Sequence, residues 1–112
     1  MDPRPLALLP GTLDLLILRA LRWEPTHGAG VGEWIRLVTG GAFALEEGTL
    51  YPALHRLEGA GWIDAEWGRS AEHNRQAKFY QLTKTGQRQL RDETAQWERM
   101  AAAVQRILTE GV

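Results

Sequence analysis

Pro52 constrains this chain more than any other residue. It stands in Glu46–Gly61, E-E-G-T-L-Y-P-A-L-H-R-L-E-G-A-G, where Leu50, Ala53, Leu54 and Leu57 recur at three- and four-residue spacing. That period places the four on one side of a helix. A proline is tolerated in the first turn of a helix, where its missing N–H is not needed. The two constraints predict a short helix starting at about Glu47 to Thr49. Gly61 suits the left-handed residue that follows a helix end. The back of this helix is apolar. Its front carries Gly48, Pro52, His55 and Gly59, flanked by Thr49, Tyr51 and Arg56. Small and hydrogen-bonding groups on an outer face permit close approach, and a DNA major groove admits such a helix with its N-terminal residues at base edges. An ordinary amphipathic helix of a small bundle fits the same stretch.

The flanking sequence narrows the choice. Residues Met1 to Pro10 form a loose arm with three prolines. Thr12 is placed to cap a helix running to about Arg22, with Leu13, Leu16, Ile17, Ala20 and Leu21 on one face. Leu15 and Leu18 lie off that face and are apolar too, so the helix needs cover on more than one side. A partner subunit or a tightly wrapped monomer core would supply it. After the turn W-E-P-T-H-G, Thr26 is placed to cap a second helix from about His27 to Thr39, with Val31, Trp34, Ile35 and Val38 inward. Gly28, Gly30 and Gly32 weaken it by roughly 1 kcal/mol each relative to alanine, which predicts a frayed start. Gly40 and Gly41 end it, and Phe43–Leu45 is an extended link. Two short helices joined by a glycine-containing turn, the second open on its outer side, make a helix-turn-helix pattern.

Trp62–Trp67 alternates, with Ile63, Ala65 and Trp67 on one face, and Lys78–Leu82 is aromatic and β-prone. Between them lies the polar run G-R-S-A-E-H-N-R-Q-A. The expected product is a hairpin with a long cationic tip, a wing beside the helix-turn-helix that reaches a phosphate backbone or minor groove. A passive surface loop is the alternative. Thr83 or Thr85 then starts a final helix to about Thr109. Leu90, Thr94, Trp97, Ala101, Val104 and Leu108 form a heptad seam along it, widened by Met100 and Ile107. Such a helix projects from the domain and pairs best across a two-fold axis.

Charge and composition close off other classes. The 112 residues suffice for one domain, and 44% hydrophobic with 24% charged residues is a soluble globular balance. Net charge is −1, yet Arg69, Arg75, Lys78, Lys84, Arg88 and Arg91 face a single anion, Glu72, between residues 69 and 91. A basic segment of this kind neutralises phosphates, although a solvated face can look the same. No cysteine is present, and no apolar run approaches the roughly 20 residues of a membrane span. The N-terminus is too short and too broken by proline for a secretion signal, so a cytoplasmic protein is expected. His27, His55 and His73 lack metal-ligand spacing, and Ser70, the one serine, has no evident base nearby. Neither an enzyme nor a cofactor or metal site is expected.

These motifs resemble the PadR family of bacterial transcriptional regulators. The matching stretches are L-D-L-L-I-L-R-A-L (Leu13–Leu21), H-G (His27–Gly28), T-G-G (Thr39–Gly41), G-T-L-Y-P-A-L-H-R-L-E (Gly48–Glu58) and F-Y-Q-L-T-K-T-G (Phe79–Gly86). The single C-terminal helix looks like the short subgroup. The resemblance implies a dimeric winged helix, with the final helix packed on the partner's first. It also implies operator binding, usually repression, relieved by a small molecule, often at exporter, permease or stress-response genes. Thr49, Tyr51 and Pro52 match the family's recognition helix, and Arg75 and Lys78 match its basic wing in kind. Where the family usually has tyrosine after H-G, this chain has Ala29. Trp97 looks like the tryptophan that stacks on flat drugs in multidrug-sensing members; a packed dimer core is its alternative role.

The expected architecture is mainly α with a small β-hairpin (α+β), a winged helix-turn-helix over residues 11–83 and a C-terminal dimerisation helix over 84–110. The expected function is a homodimeric, sequence-specific regulator on a double-stranded DNA operator. DNA contacts are assigned to Thr49, Tyr51, Pro52, His55, Arg56, Arg69, Arg75 and Lys78. Trp97, Met100 and Ala101 are assigned to a small hydrophobic or aromatic effector. Leu15, Leu18, Leu90, Trp97, Val104 and Leu108 are assigned to the dimer interface. The rival is a winged-helix protein-interaction module without DNA binding, which Glu46, Glu47 and Glu58 favour.

Overall fold

A computed structural model describes residues 4–9, 11–69, 71 and 74–110. Ser70, Glu72, His73 and the outer part of the arm lie outside the described residues. The elements are α1 (Thr12–Ala20), β1 (Thr26–His27), α2 (Gly28–Val38), α3 (Glu47–Gly59), β2 (Ile63–Arg69), β3 (Gln76–Leu82) and α4 (Lys84–Glu110). The sheet is antiparallel, in the order β1-β3-β2. This is a winged helix, α+β, with one long helix appended.

Each element follows from local chemistry, with instructive departures. The first helix is capped by Gly11, not Thr12. Gly11 takes φ +85°, and Thr12 is already helical, its hydroxyl donating back to the Leu9 carbonyl. Only glycine reaches that backbone region without strain, and so it displaces the better hydrogen-bonding cap. At α2 the cap is His27, not Thr26: the Gly30 N–H donates to His27 Nδ1 at 2.8 Å. Thr26 and His27 are drawn instead into β1, pairing with Tyr80 and Phe79, and the His27 ring stacks on Phe79. Two residues are too few to show alternation, so this third strand leaves no periodic trace in the sequence.

The glycine-rich start of α2 is a packed contact, not a frayed end. Gly28 is buried, and a Cβ there would stand 2.5 Å from Cε1 of Tyr51. The tyrosine ring of α3 thus lies across the first turn of α2. Val38, expected to face inward, is 63% exposed at the end of α2, while Ile35 in the same turn is buried. The wing strands run further than expected, pairing from Ile63–Leu82 out to Arg69–Gln76, which shortens the tip. Trp67 is 70% exposed, since the sheet extends past the helices that cover Ile63 and Tyr80.

The core gathers Ile17, Leu18 and Leu21 from α1 with Val31 and Ile35 from α2 and all four predicted positions of α3. Ile63, Tyr80 and Leu90 complete it. Leu18 is fully enclosed and Leu90 nearly so, within one chain. Neither offers surface to a second subunit, which corrects their assignment to the dimer interface: α4 packs on α1 and covers from the inside what looked like a second apolar face.

Where the wing meets α4, four residues interlock. The Thr83 hydroxyl donates to the Gly61 carbonyl (2.7 Å) and accepts from the Gly86 N–H (3.0 Å), capping α4 as expected. The Thr83 N–H donates to the Trp62 carbonyl at 3.1 Å. Gly86 lies so close that an added Cβ would overlap that carbonyl oxygen. Gly86→Ala must therefore push α4 away from the wing base. We expect a loss of about 3 kcal/mol in denaturant unfolding, the upper end for an overpacked site. A stability within about 0.5 kcal/mol of wild type would show that the joint yields freely.

Candidate nucleic-acid interface and the groove on the final helix

Helix α3 presents its front as expected. Leu50, Ala53, Leu54 and Leu57 are buried, while Gly48, Thr49, Tyr51, Pro52, His55 and Gly59 are exposed. The helix begins at Glu47, so Pro52 sits in its second turn, not its first. Lacking an N–H, Pro52 returns no hydrogen bond to the Gly48 carbonyl four residues back. Both residues are exposed, so that carbonyl is an acceptor near the N-terminus of the outer face. Proline costs about 3 kcal/mol in a helix interior. The buried leucines of the opposite side offset it.

Three of the eight assigned contacts have hydrogen-bond partners within the molecule, and two of these, Arg56 and Lys78, tie α3 to another element. Arg56 is turned toward α1, donating from Nη1 and Nη2 to the two carboxylate oxygens of Asp14 at 2.9 and 2.6 Å. The Asp14 hydrogen bonds raise the affinity of the guanidinium for its proton above the usual value. Lys78 is a strut. Its Nζ donates to Glu58 Oε1 at 2.9 Å and lies 5.6 Å from the Tyr80 ring centroid, strapping the wing to the last turn of α3. The Glu58 hydrogen bond also holds the Lys78 ammonium pKa above its usual value. Arg69 reaches across the hairpin to the Asn74 carbonyl and Oδ1 at 3.3 and 3.1 Å, and Arg75 is exposed beside it. Asn74 adopts φ +50°, a left-handed turn position that asparagine tolerates. The exposed wing cations are thus Arg69 and Arg75 at the tip.

A second concave feature lies between the arm, α1 and α4. Leu9, Gly11, Thr12, Leu15, Glu93, Gln96, Trp97 and Met100 line a cavity of about 130 Å³. Of the residues assigned to an effector, Trp97 and Met100 line it, and Ala101, half-buried, lines none of it. Leu9 was not anticipated, because its approach to Trp97 is a tertiary contact between α4 and a segment about 90 positions away; Glu93 stands one turn before Trp97 on the same helix and was legible from the helical period. Glu93 takes a hydrogen bond from Gln89 Nε2 at 3.0 Å on Oε1, while its Oε2 is buried with no partner among the described residues. Beyond the groove, Val104, Ile107 and Leu108 of α4 are exposed. Among the described residues no group of three or more His, Cys, Asp or Glu could hold a metal, and no helix is long and apolar enough to cross a membrane.

Residues 17–92 match the family model of the transcriptional regulator PadR-like family. An uncharacterized protein of Lysinibacillus sphaericus is 29% identical over 90 residues, 80% of this chain and 82% of that protein. The crystal structure of a PadR family transcriptional regulator from Eggerthella lenta matches with a TM-score of 0.73 at 33% identity, covering 88% of this chain and 83% of that one. That of a PadR family transcription regulator from Clostridium difficile matches with a TM-score of 0.75 at 26% identity, covering 88% and 99%.

Burial raises the Glu93 carboxyl pKa above its usual value, with Asp14 adding to the rise and Gln89 and Arg56 opposing it. A carboxyl raised in the folded state destabilises that state when ionised. The penalty is absent below the unfolded value near 4.5 and grows as pH rises through the raised folded value. Glu93→Gln should therefore melt at higher temperature than wild type at pH 7 and equal it near pH 4. A lower melting temperature for the variant at pH 7 would reverse the sign of this effect.

Proposed function

The chain belongs to the PadR-like family of transcriptional regulators, and on that premise we propose that it is a homodimeric, sequence-specific repressor of a double-stranded DNA operator. The observation that carries this reading is the front of α3. Gly48, Pro52, His55 and Gly59 are exposed along one face of α3, flanked by Thr49 and Tyr51, and Arg69 and Arg75 are exposed on the wing. In this reading α3 meets base edges, and the tip meets phosphates or the minor groove. Arg56 and Lys78 act one step back, fixing α3 against α1 and the wing against α3.

The protein works as a cytoplasmic dimer in this proposal. Trp97, Met100, Val104, Ile107 and Leu108 are 39–75% exposed along one side of α4, an apolar stripe that a monomer leaves in water. Residues 84–110 form the pairing helix, and Leu15, at the edge of the groove, joins it. Small aromatic effectors occupy the Trp97 groove and alter the spacing of the two α3 helices, releasing operators that control a transporter or stress-response gene. DNA and effector oppose each other by equal coupling in both directions. The interaction-module reading drew on the anions of α3. It weakens because Glu58 is spent on Lys78.

Val104→Glu should release monomers in sedimentation and abolish operator binding in the same preparation. A surviving dimer would move the interface off α4.

Tyr51→Phe keeps the ring that packs on Gly28 and removes only the hydroxyl. It should weaken binding to the preferred operator by about 1 kcal/mol while leaving random duplex unaffected. Arg75→Ala should weaken all duplexes alike and reduce the salt slope by about one. Titration of operator and random duplex across a salt series measures both. Identical behaviour of the two variants would end the division into reading helix and clamping wing, and no duplex binding by wild type would restore the interaction module.

A further inference from the structure

The wing has two unlike sides. In an antiparallel ladder, paired residues share a side and successive residues alternate. The register Ile63–Leu82, Ala65–Tyr80 and Trp67–Lys78 therefore puts these residues on one side of the hairpin, with Arg69 next in line. That side looks toward α3. Its inner residues Ile63 and Tyr80 are buried in the core, and Lys78 reaches from it to Glu58 of α3 at 2.9 Å. The acidic residues of the strands, Asp64 and Glu66, fall on the opposite side. Trp67 stands on the α3-facing side between Lys78 and Arg69, and it is 70% exposed. Its strand is backed from behind. Gly68 lets the Phe79 ring lie 3.2 Å from where a Cβ would be, and His27 stacks on the same ring.

A single exposed apolar residue is common on protein surfaces and needs no explanation by itself. Trp67 differs in its setting. The largest side chain there is stands bare beside cations, on the side of the hairpin turned to the proposed reading helix, with the strand acids kept behind it. That charge arrangement suits a polyanion and repels an acidic surface from the other side only. A nucleic-acid backbone alternates phosphates with the apolar C–H face of a sugar, so it asks for a cation and a flat apolar ring side by side. We propose that Trp67 is a duplex contact, its indole face lying on deoxyribose in the backbone that flanks the groove entered by α3, with Arg69 at the adjoining phosphate. This rests on the reading of α3 and the wing as a DNA-binding surface. It adds an apolar, sequence-independent contact that no cation supplies, held on a paired strand and not on the turn.

The test uses the full-length protein and a random-sequence DNA duplex titrated across a salt series. Trp67→Ala should weaken binding about tenfold at every salt concentration and leave the slope unchanged, because an indole displaces no counterion. Arg69→Ala should instead reduce the slope by about one. Trp67→Phe keeps a flat apolar ring and should stay within about threefold of wild type. In wild-type sequence labelled with fluorotryptophan, the Trp67 fluorine is identified by its absence from Trp67→Phe. It should lose its light-to-heavy-water shift when duplex is added. A Trp67→Ala variant that binds like wild type, or a Trp67 fluorine that keeps its full solvent shift in the complex, would overturn the inference and leave the DNA-binding reading standing. Loss in Trp67→Phe equal to that in Trp67→Ala would put the contact on the indole N–H and overturn the ring-face assignment. Dissociation of the dimer by Trp67→Ala in sedimentation would make this side of the wing a contact between copies, and the inference would fall. No duplex binding by wild type at any salt would remove the DNA-binding reading itself. The fluorine measurement is made on the wild-type sequence and decides the matter even where Trp67→Ala perturbs folding.

Discussion

The joint at Gly61, Trp62, Thr83 and Gly86 governs the rest of the molecule. One hydroxyl donates to Gly61, just past the end of α3, and accepts from the first turn of the final helix. One backbone hydrogen bond ties the two feet of the wing together, and one missing Cβ lets α4 lie against them. Three directions are therefore set at a single point: the axis of α3, the rise of the wing and the departure of α4. Packed, hydrogen-bonded joints do not deform continuously. In a dimer built on α4, the distance between two reading helices would be inherited from this joint, and a disturbance along α4 would reach α3 through it.

Charge in this protein is mostly architecture. The pairs Arg56–Asp14 and Lys78–Glu58 each tie another element to α3, the first α1 and the second β3. Partly exposed pairs of this kind add little to stability, typically under about 1 kcal/mol. Their effect is orientation: one fixes the helix against α1, the other fixes the wing against the helix. Both draw cations away from the outer surface, leaving its front to small groups, a carbonyl and hydroxyls, with arginine at the wing tip.

The apolar stripe of α4 and the cavity beside it belong to the same design. The inner end of the helix is spent on the chain's own core through Leu90. The outer end, from Trp97 onward, is left bare. The cavity forms at the boundary between the two, where α4 leaves α1 and the arm crosses near Leu9. Half-buried Glu93 lies at that boundary and lines the groove.

The four helices, the two strands of the wing, their order and the buried face of α3 were determined by the sequence alone, because helical and strand periods are local and survive in a bare string of residues; the two-residue β1 was not, being too short to carry a period. Leu50, Ala53, Leu54 and Leu57 needed no tertiary knowledge, nor did the cap at Thr83 or the stop at Gly61. The tertiary structure alone decided who partners whom. Arg56 and Asp14 are 42 positions apart, and Lys78 and Glu58 are 20 apart, beyond any local period. Likewise, Leu18 belongs inside the protomer and Val104 outside it, although both read as apolar residues on a helix. Hydrophobicity states that a side chain is to be covered; the long-range packing of α4 on α1 settles whether its own chain does the covering.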